Sequence, residues 1–183
     1  DATENGAIVT LSSGAGMSGM NIYQNFLITR TESGSALTNT NLDTANNADP
    51  GSSSNDLTSL YDVSGGTLTT TSGTELLVWT GDSFTPGGAI VAGGTIDIDG
   101  TFNAGAYAIN VAGDFDKASM ITHTGTLTFD GTGTQTFTGT TNTNSAVVIN
   151  KPSGSLVLGS NLTLMNGNVT VTSGTYDVNG KST

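Results

Sequence analysis

Short runs in which apolar and polar residues alternate dominate the chain from about residue 61 onward. The segment Thr95-Ile96-Asp97-Ile98-Asp99 is a clear example. Because successive side chains of a β-strand point to opposite faces, its two isoleucines share one face and its two aspartates the other. Turn-forming residues, mostly Gly, Asn or Ser, follow each run. The pattern predicts many short strands, each buried on one side, and almost no helix.

The runs recur at a nearly constant interval near the C-terminus. Their leading residues Leu156, Leu162, Val169 and Tyr176 are separated by 6, 7 and 7 positions. In a parallel β-helix, three such units make one coil of about 20 residues, and each coil buries its apolar face against the next. An antiparallel β-sandwich or meander is the alternative, with Asn-Gly pairs as hairpin turns. The regular spacing, and corners without a pair of positive-φ residues, favour an all-β fold of the parallel solenoid type.

The inward positions of the runs define a predicted hydrophobic core. Most of these residues are β-branched or aromatic, which suits a half-buried strand. The predicted core residues are Leu68, Leu76, Val78, Ile90, Ile96, Ile98, Phe102, Ile109, Val111, Phe115, Leu127, Phe129, Phe137, Val148, Leu156, Leu158, Leu162, Leu164, Val169, Val171, Tyr176 and Val178.

Residues 1–60 have a different pattern from the solenoid predicted for residues 61–183. Residues 7–11 are apolar and predict a strand. Residues 22–28 predict a strand or one short helix, because seven residues are too few for periodicity to decide. Residues 38–57 are polar and contain a Pro-Gly turn, so we expect a long loop there.

Two roles are open for the N-terminal region. It caps the solenoid if it covers the unpaired backbone groups of an end strand. Alternatively, its first strand leaves its own subunit and completes a neighbouring one, so that strand addition builds a fibre. The candidate donor strand consists of Ala7, Ile8, Val9, Thr10 and Leu11.

Composition narrows the function classes. The chain has 33 Thr and 26 Gly, no Cys, and a net charge of −11 from 15 acidic and four basic residues. Nucleic-acid binding requires Lys and Arg to replace the phosphate counterions, so we expect no nucleic-acid partner. No run approaches the roughly 20 apolar residues that span a bilayer, so we expect no membrane insertion.

Three blocks of the repeat carry a family resemblance. They are residues 100–115, residues 125–139, and residues 148–164 continuing into 173–181. Together these blocks make residues 65–181 similar to the β-strand repeats of large bacterial surface proteins, grouped with autotransporter-like and filamentous-haemagglutinin-like adhesins. The resemblance implies secretion to the cell surface, a stalk or matrix role, and in some cases adhesion. It transfers no catalytic residue to this chain.

Acidic residues suggest one metal site. Asp97 and Asp99 share a strand face about 7 Å apart, and Asp114 and Asp116 repeat the arrangement about one coil later. If the coils stack in register, four carboxylates gather on one edge and provide the oxygen ligands that calcium prefers. A solvated acidic face that prevents aggregation is the other interpretation, and the one that we favour. We therefore expect no cofactor, with calcium as the one alternative.

Catalytic groups are sparse. His123 is the only histidine, and no nucleophile-elbow pattern surrounds it, so a surface position on a strand is expected. A polysaccharide lyase needs a basic residue beside calcium-binding acids, and only Lys117 lies near acids in the sequence, namely Asp114 and Asp116. The sequence therefore favours a protein that is not an enzyme.

Outward threonines suggest a ligand-binding alternative. Flat ranks of hydroxyl and methyl groups are a surface on which ice or carbohydrate can bind. We nevertheless expect an extracellular structural and adhesive protein that self-associates into fibres or a surface layer. The candidate ranks are Thr126 and Thr128, Thr134, Thr136 and Thr138, and Thr170 and Thr172.

Overall fold

The protein is a parallel β-solenoid of about 7 turns, as a computed structural model of the chain shows. The structure describes residues 6–11, 21–32, 35–47, 57–118, 121–139, 145–163 and 167–183. This architecture confirms the predicted parallel solenoid. Among the described strands, one pair is antiparallel: Tyr61–Ser64 and Thr67–Thr70, connected by a tight turn with Gly65 and Gly66 at positive φ.

Three sheet faces run along the solenoid. Face A contains β1 (Ala7–Leu11), β2 (Phe26–Thr31), β5 (Glu75–Val78), β8 (Ile96–Ile98), β11 (Phe115–Lys117) and β14 (Gln135–Gly139). Face B contains β3 (Tyr61–Ser64), β4 (Thr67–Thr70), β7 (Ile90–Ala92), β10 (Ile109–Val111) and β13 (Thr126–Phe129). Face C contains β6 (Ser83–Phe84), β9 (Thr101–Gly105) and β12 (Ile121–His123).

Two long strands bend around a corner and join both larger faces. The first is β15 (Ala146–Leu158), whose residues 146–149 pair with β13 on face B and whose residues 156–158 pair with β14 on face A. The second is β16 (Val169–Asp177), which pairs with β15 along both parts. The last turn of the described chain therefore repeats the path of the turn before it.

Inward side chains form columns along the solenoid axis. On face B, equivalent inward residues lie 18 to 22 positions apart, which is one turn, and on face A the aromatic rings of Phe115 and Phe137 lie 5.5 Å apart. Tight corners let the turns stack so closely: a Cβ atom at Gly113 would lie 2.4 Å from the backbone of Gly94. The face B column is Leu68, Ile90, Ile109, Leu127, Val147 and Val169.

The predicted core is confirmed from Leu68 through Phe137 and at Leu156, Leu158 and Leu162. The prediction that Val148 belongs to the core is wrong, because Val147 and Ile149 occupy the inward positions and Val148 points outward. All four residues from 146 to 149 are apolar, so the alternation of apolar and polar residues does not show which side of this strand is buried. Leu164 lies outside the described residues.

The last turn differs from the predicted core in exposure. Val171 is 49% exposed and Val178 is 39% exposed, while Val169 and Tyr176 are half-buried. These positions belong to β16 and the residue after it, and β16 is paired on only one side within the described chain. An inward side chain needs a turn on each side to be fully buried.

The N-terminal region packs against the core through helix α1. Helix α1 (Asn39–Asn46) begins at a capping box in which the side chains of Thr38 and Asn41 bond each other's backbone. Leu42 is fully buried, and the Tyr61 hydroxyl donates to the Leu42 carbonyl oxygen at 3.0 Å. The predicted loop at 38–57 is thus wrong for residues 39–46. The cap and the burial of one leucine outweigh the weak helix propensity of Asn, Thr and Asp.

Both N-terminal apolar stretches contribute strands to face A. β1 is the last strand of the sheet and pairs in parallel with β2, with Ala7 opposite Leu27. The segment 22–28 is therefore extended in its second half rather than helical. No helix in the described ranges is long and apolar enough to cross a membrane.

Candidate binding surface

The outer side of face B presents an uncharged column of side chains. Each member lies opposite the next across a parallel pair, so neighbouring members are about 4.8 Å apart. Val91 is 39% exposed within this column, and Asn110 is half-buried. The column consists of Thr69, Val91, Asn110, Thr128, Val148 and Thr170.

A second outward column runs beside the first. Its members directly precede the inward residues of face B, and all are small. Because side chains two positions apart on a strand share a face, the two columns form one flat surface. The second column is Ala89, Ala108, Thr126, Ala146 and Asn168.

Neither column of face B contains an ionisable side chain, although the chain carries a net charge of −11. Acidic groups lie only at its borders. Asp62 is opposite Thr69 at one end, and Asp130 follows β13 at the corner. The acidic surface of the solenoid is thus segregated from an uncharged, flat strip.

Face A holds the carboxylates that the strip lacks. Asp97 lies opposite Asp116 on neighbouring strands. Burial raises the pKa of Asp97 to about 6, and the charges of Asp99 and Asp116 add to the increase. Burial likewise raises the pKa of Glu75, with Asp97 and Asp99 contributing. These carboxylates destabilise one another's charged forms.

The four residues predicted to bind calcium do not act as one group. Asp97, Asp99 and Asp116 interact electrostatically, but the Asp114 carboxylate accepts a hydrogen bond of 2.6 Å from the backbone N–H of Thr136 on the next turn. Among the described residues, no set of three acidic or histidine side chains is arranged to hold a metal ion. Calcium binding by these aspartates stays a prediction without geometric support.

His123 is buried, which contradicts its expected surface position. It is 3% exposed; its Nδ1 lies 2.5 Å from the Ser145 hydroxyl and its Nε2 lies 2.7 Å from the Tyr107 carbonyl oxygen. Burial lowers the pKa of His123, and the hydrogen bond to Tyr107 partly offsets the decrease. Ser145 is also fully buried, so a substrate has no access to this histidine–serine pair.

Lys117 is also buried, at an inward position opposite Ile98, whereas Asp116 points outward. Lys117 is near Asp114 and Asp116 in the sequence, but alternation along the strand places its side chain on the opposite side from that of Asp116. This arrangement provides no support for a lyase.

The predicted threonine ranks are divided between two faces. Thr126 and Thr128 lie on face B, where Thr170 continues the column of Thr128. Thr136 and Thr138 lie on face A, opposite Val157 and Asp116 respectively. Only the face B threonines therefore belong to the uncharged strip.

A buried polar network was missed by the sequence analysis. Lys151 and Gln135 are each 1% exposed, and the Lys151 Nζ donates to the Gly131 carbonyl oxygen at 2.8 Å and to the Gln135 Oε1. The alternation of side chains in the sequence could have predicted the inward positions of Gln135 and Lys151. Gln135 has the parity of the inward Phe137, and Lys151 has the parity of the inward Ile149.

Comparisons with protein-family models, with curated proteins and with solved structures find no match to this chain. The resemblance to bacterial surface repeats therefore stays a prediction, and the fold is established by the structure alone.

Proposed function

We propose that this chain is an extracellular structural and adhesive module, and that the uncharged strip of face B is its contact surface. The observation that carries the proposal is the exclusion of ionisable side chains from both columns of that strip in a strongly acidic protein. The stacked turns provide a rigid rod, and the strip provides a regular surface along its length.

The strip fits an uncharged, hydroxyl-rich polymer better than a charged one. An anionic partner would be repelled by the net charge of −11, and a cationic partner would find its complement on face A. Threonine and asparagine side chains on the strip donate and accept hydrogen bonds, while its alanines and valines contact apolar faces of a ligand. A neutral polysaccharide combines these properties.

The experiment is co-sedimentation of the purified chain with insoluble cellulose, using two matched double variants. Asn110→Asp/Thr128→Glu adds two charges to register partners on face B. Asn103→Asp/Thr122→Glu adds the same charges to register partners on the outer side of face C. We expect the face B variant to bind at least about tenfold more weakly, or about 1.4 kcal/mol, and the face C variant to bind like the parent. Absence of binding by the parent, or equal losses in both variants, would contradict the proposal.

Ice is a second candidate ligand for the same strip. Thr69, Thr128 and Thr170 lie in one column, with Val91 and Asn110 between the first two and Val148 between the last two. Such an array can order water at a flat surface. Thermal hysteresis that is lost in the face B double variant, and kept in the face C double variant, would favour ice; zero hysteresis in the parent would exclude it.

Self-association is a further candidate, favoured by the last turn. An open cavity of about 710 Å³ is lined by Gly154, Ser155 and residues 175–178, and the exposed valines border the unpaired edge of β16. At the other end, β1 also has one unpaired edge in the described sheet. Addition of β1 of one copy to β16 of another would continue face A and produce a fibre.

A further inference from the structure

Lys151 and Gln135 lie in contact inside the corner between faces B and A. Gln135 begins β14, and Lys151 lies in the middle of β15, which pairs with β14 on the next turn. The Lys151 Nζ touches the Gln135 Oε1. Because a C=O bond is about 1.23 Å long, the carbonyl carbon Cδ lies at most about 1.2 Å farther from Nζ than Oε1 does.

The carboxamide of Gln135 is held in one orientation. Its Nε2 donates to the Val111 carbonyl oxygen at 2.9 Å and to the Gly113 carbonyl oxygen, and its Oε1 accepts from the Gly131 N–H at 2.9 Å. A fixed N–H aimed at a carbonyl oxygen stabilises negative charge that develops there during nucleophilic attack. The corner therefore polarises the carbonyl group of Gln135.

The amine of Lys151 is in an environment that favours its neutral, nucleophilic form. Burial lowers the pKa of Lys151, and the charges of Asp130 and Asp114 partly offset the decrease. Among the described residues, no carboxylate oxygen lies within ion-pair distance of its Nζ. A buried lysine without an ion pair gives up its proton more easily than an exposed one.

We propose that Lys151 and Gln135 form an intramolecular isopeptide bond. The Nζ lone pair attacks Cδ of Gln135, an Nζ–Cδ amide bond forms, and the Cδ–Nε2 bond breaks. One proton moves from Nζ to Nε2, which leaves as ammonia, so no oxidant or reductant is needed.

The test is intact-mass spectrometry of the purified full chain, followed by peptide mapping. We expect a mass lower than the sequence mass by one ammonia, and a branched peptide that joins Gln135 to Lys151. Lys151→Met should restore the full mass, whereas Lys181→Met, at a half-buried lysine near the C-terminus, should retain the deficit.

Three results would overturn the proposal. One is a parent chain of full mass without the branched peptide. Another is a deficit that persists in Lys151→Met, because cyclisation of an asparagine elsewhere also releases ammonia. The third is a peptide map in which Gln135 and Lys151 occur only in separate peptides. The parent map decides the question even where a variant does not fold.

Discussion

Asp97 lies directly opposite Asp116 across β8 and β11, with both carboxylates on the outer side of face A. Burial, together with the charges of Asp99 and Asp116, raises the pKa of Asp97 to about 6. Because the folded state binds the proton more tightly than the unfolded state, this group makes the fold more stable at low pH. Its contribution is lost as the pH rises from about 4 through about 6.

Asp97→Asn should therefore stabilise the protein above pH 7. We expect about 1–2 kcal/mol in the free energy of unfolding, discounted for the partial exposure of the side chain. Urea unfolding at pH 8 and at pH 4.5 measures the effect, which should be clearly smaller at the lower pH. Asp177→Asn is the control, because Asp177 is exposed at the last turn. Equal effects of the two variants would disprove the electrostatic explanation.

His123 should have the opposite pH dependence. Its pKa is lowered in the folded state, so the unfolded chain binds the proton more tightly, and the stability present above about pH 6.5 is lost as the pH falls. His123→Gln should weaken this loss between pH 7 and pH 5. It should also cost about 1–3 kcal/mol at pH 8, because the Ser145 hydroxyl and the Tyr107 carbonyl lose a partner. An unchanged stability–pH profile would show that His123 is not the titrating group.

The inward and outward sides of β10 should differ strongly in tolerance to charge. Ile109 is fully buried, whereas its neighbour Asn110 is half-buried on the outer side of face B. Ile109→Asp should cost several kcal/mol or prevent folding, because it buries an unpaired carboxylate. Asn110→Asp should change the free energy of unfolding by less than about 0.5 kcal/mol. Similar losses in the two variants would show that the assigned alternation is wrong.

Self-association through the last turn should depend on its exposed valines. Val171→Lys/Val178→Lys places two charges where an added strand would cover apolar side chains, so fibres should be lost while the monomer stays folded. Asn103→Lys/Thr122→Lys on face C is the matched control. Sedimentation velocity and electron microscopy would measure the outcome. A parent that stays monomeric at high concentration would exclude fibre formation by this route.

Alternation in the sequence predicts most of the core because one side of each strand is buried. It correctly identifies Ile96 and Ile98 as core residues. Gln135, two positions before the buried Phe137, lies on the same inward side of its strand. It fails over residues 146–149, where apolar side chains lie on both sides of the strand. Alternation in the sequence also does not predict the exposure of the last turn, since burial there depends on what stacks on β16.

The helix and the buried lysines were harder to predict. Helix α1 has a single fully buried leucine, and its formation depends on tertiary contact with the end of the core rather than on propensity. Lys117 and Lys151 have inward parity, but lysine is rarely buried, so the pattern alone favours an outward position. The uncharged strip of face B becomes visible only when the register of the turns is known.

The claim that face B is the contact surface has a direct test, because the chain contains no cysteine. Thr128→Cys places one thiol on the strip, and Thr122→Cys places one on the outer side of face C. The measurement is the rate of thiol alkylation for each variant, free and adsorbed to cellulose. The account predicts that adsorption protects the thiol at 128 at least about tenfold and leaves the thiol at 122 reactive. Equal reactivity of the two thiols in the adsorbed state would contradict it.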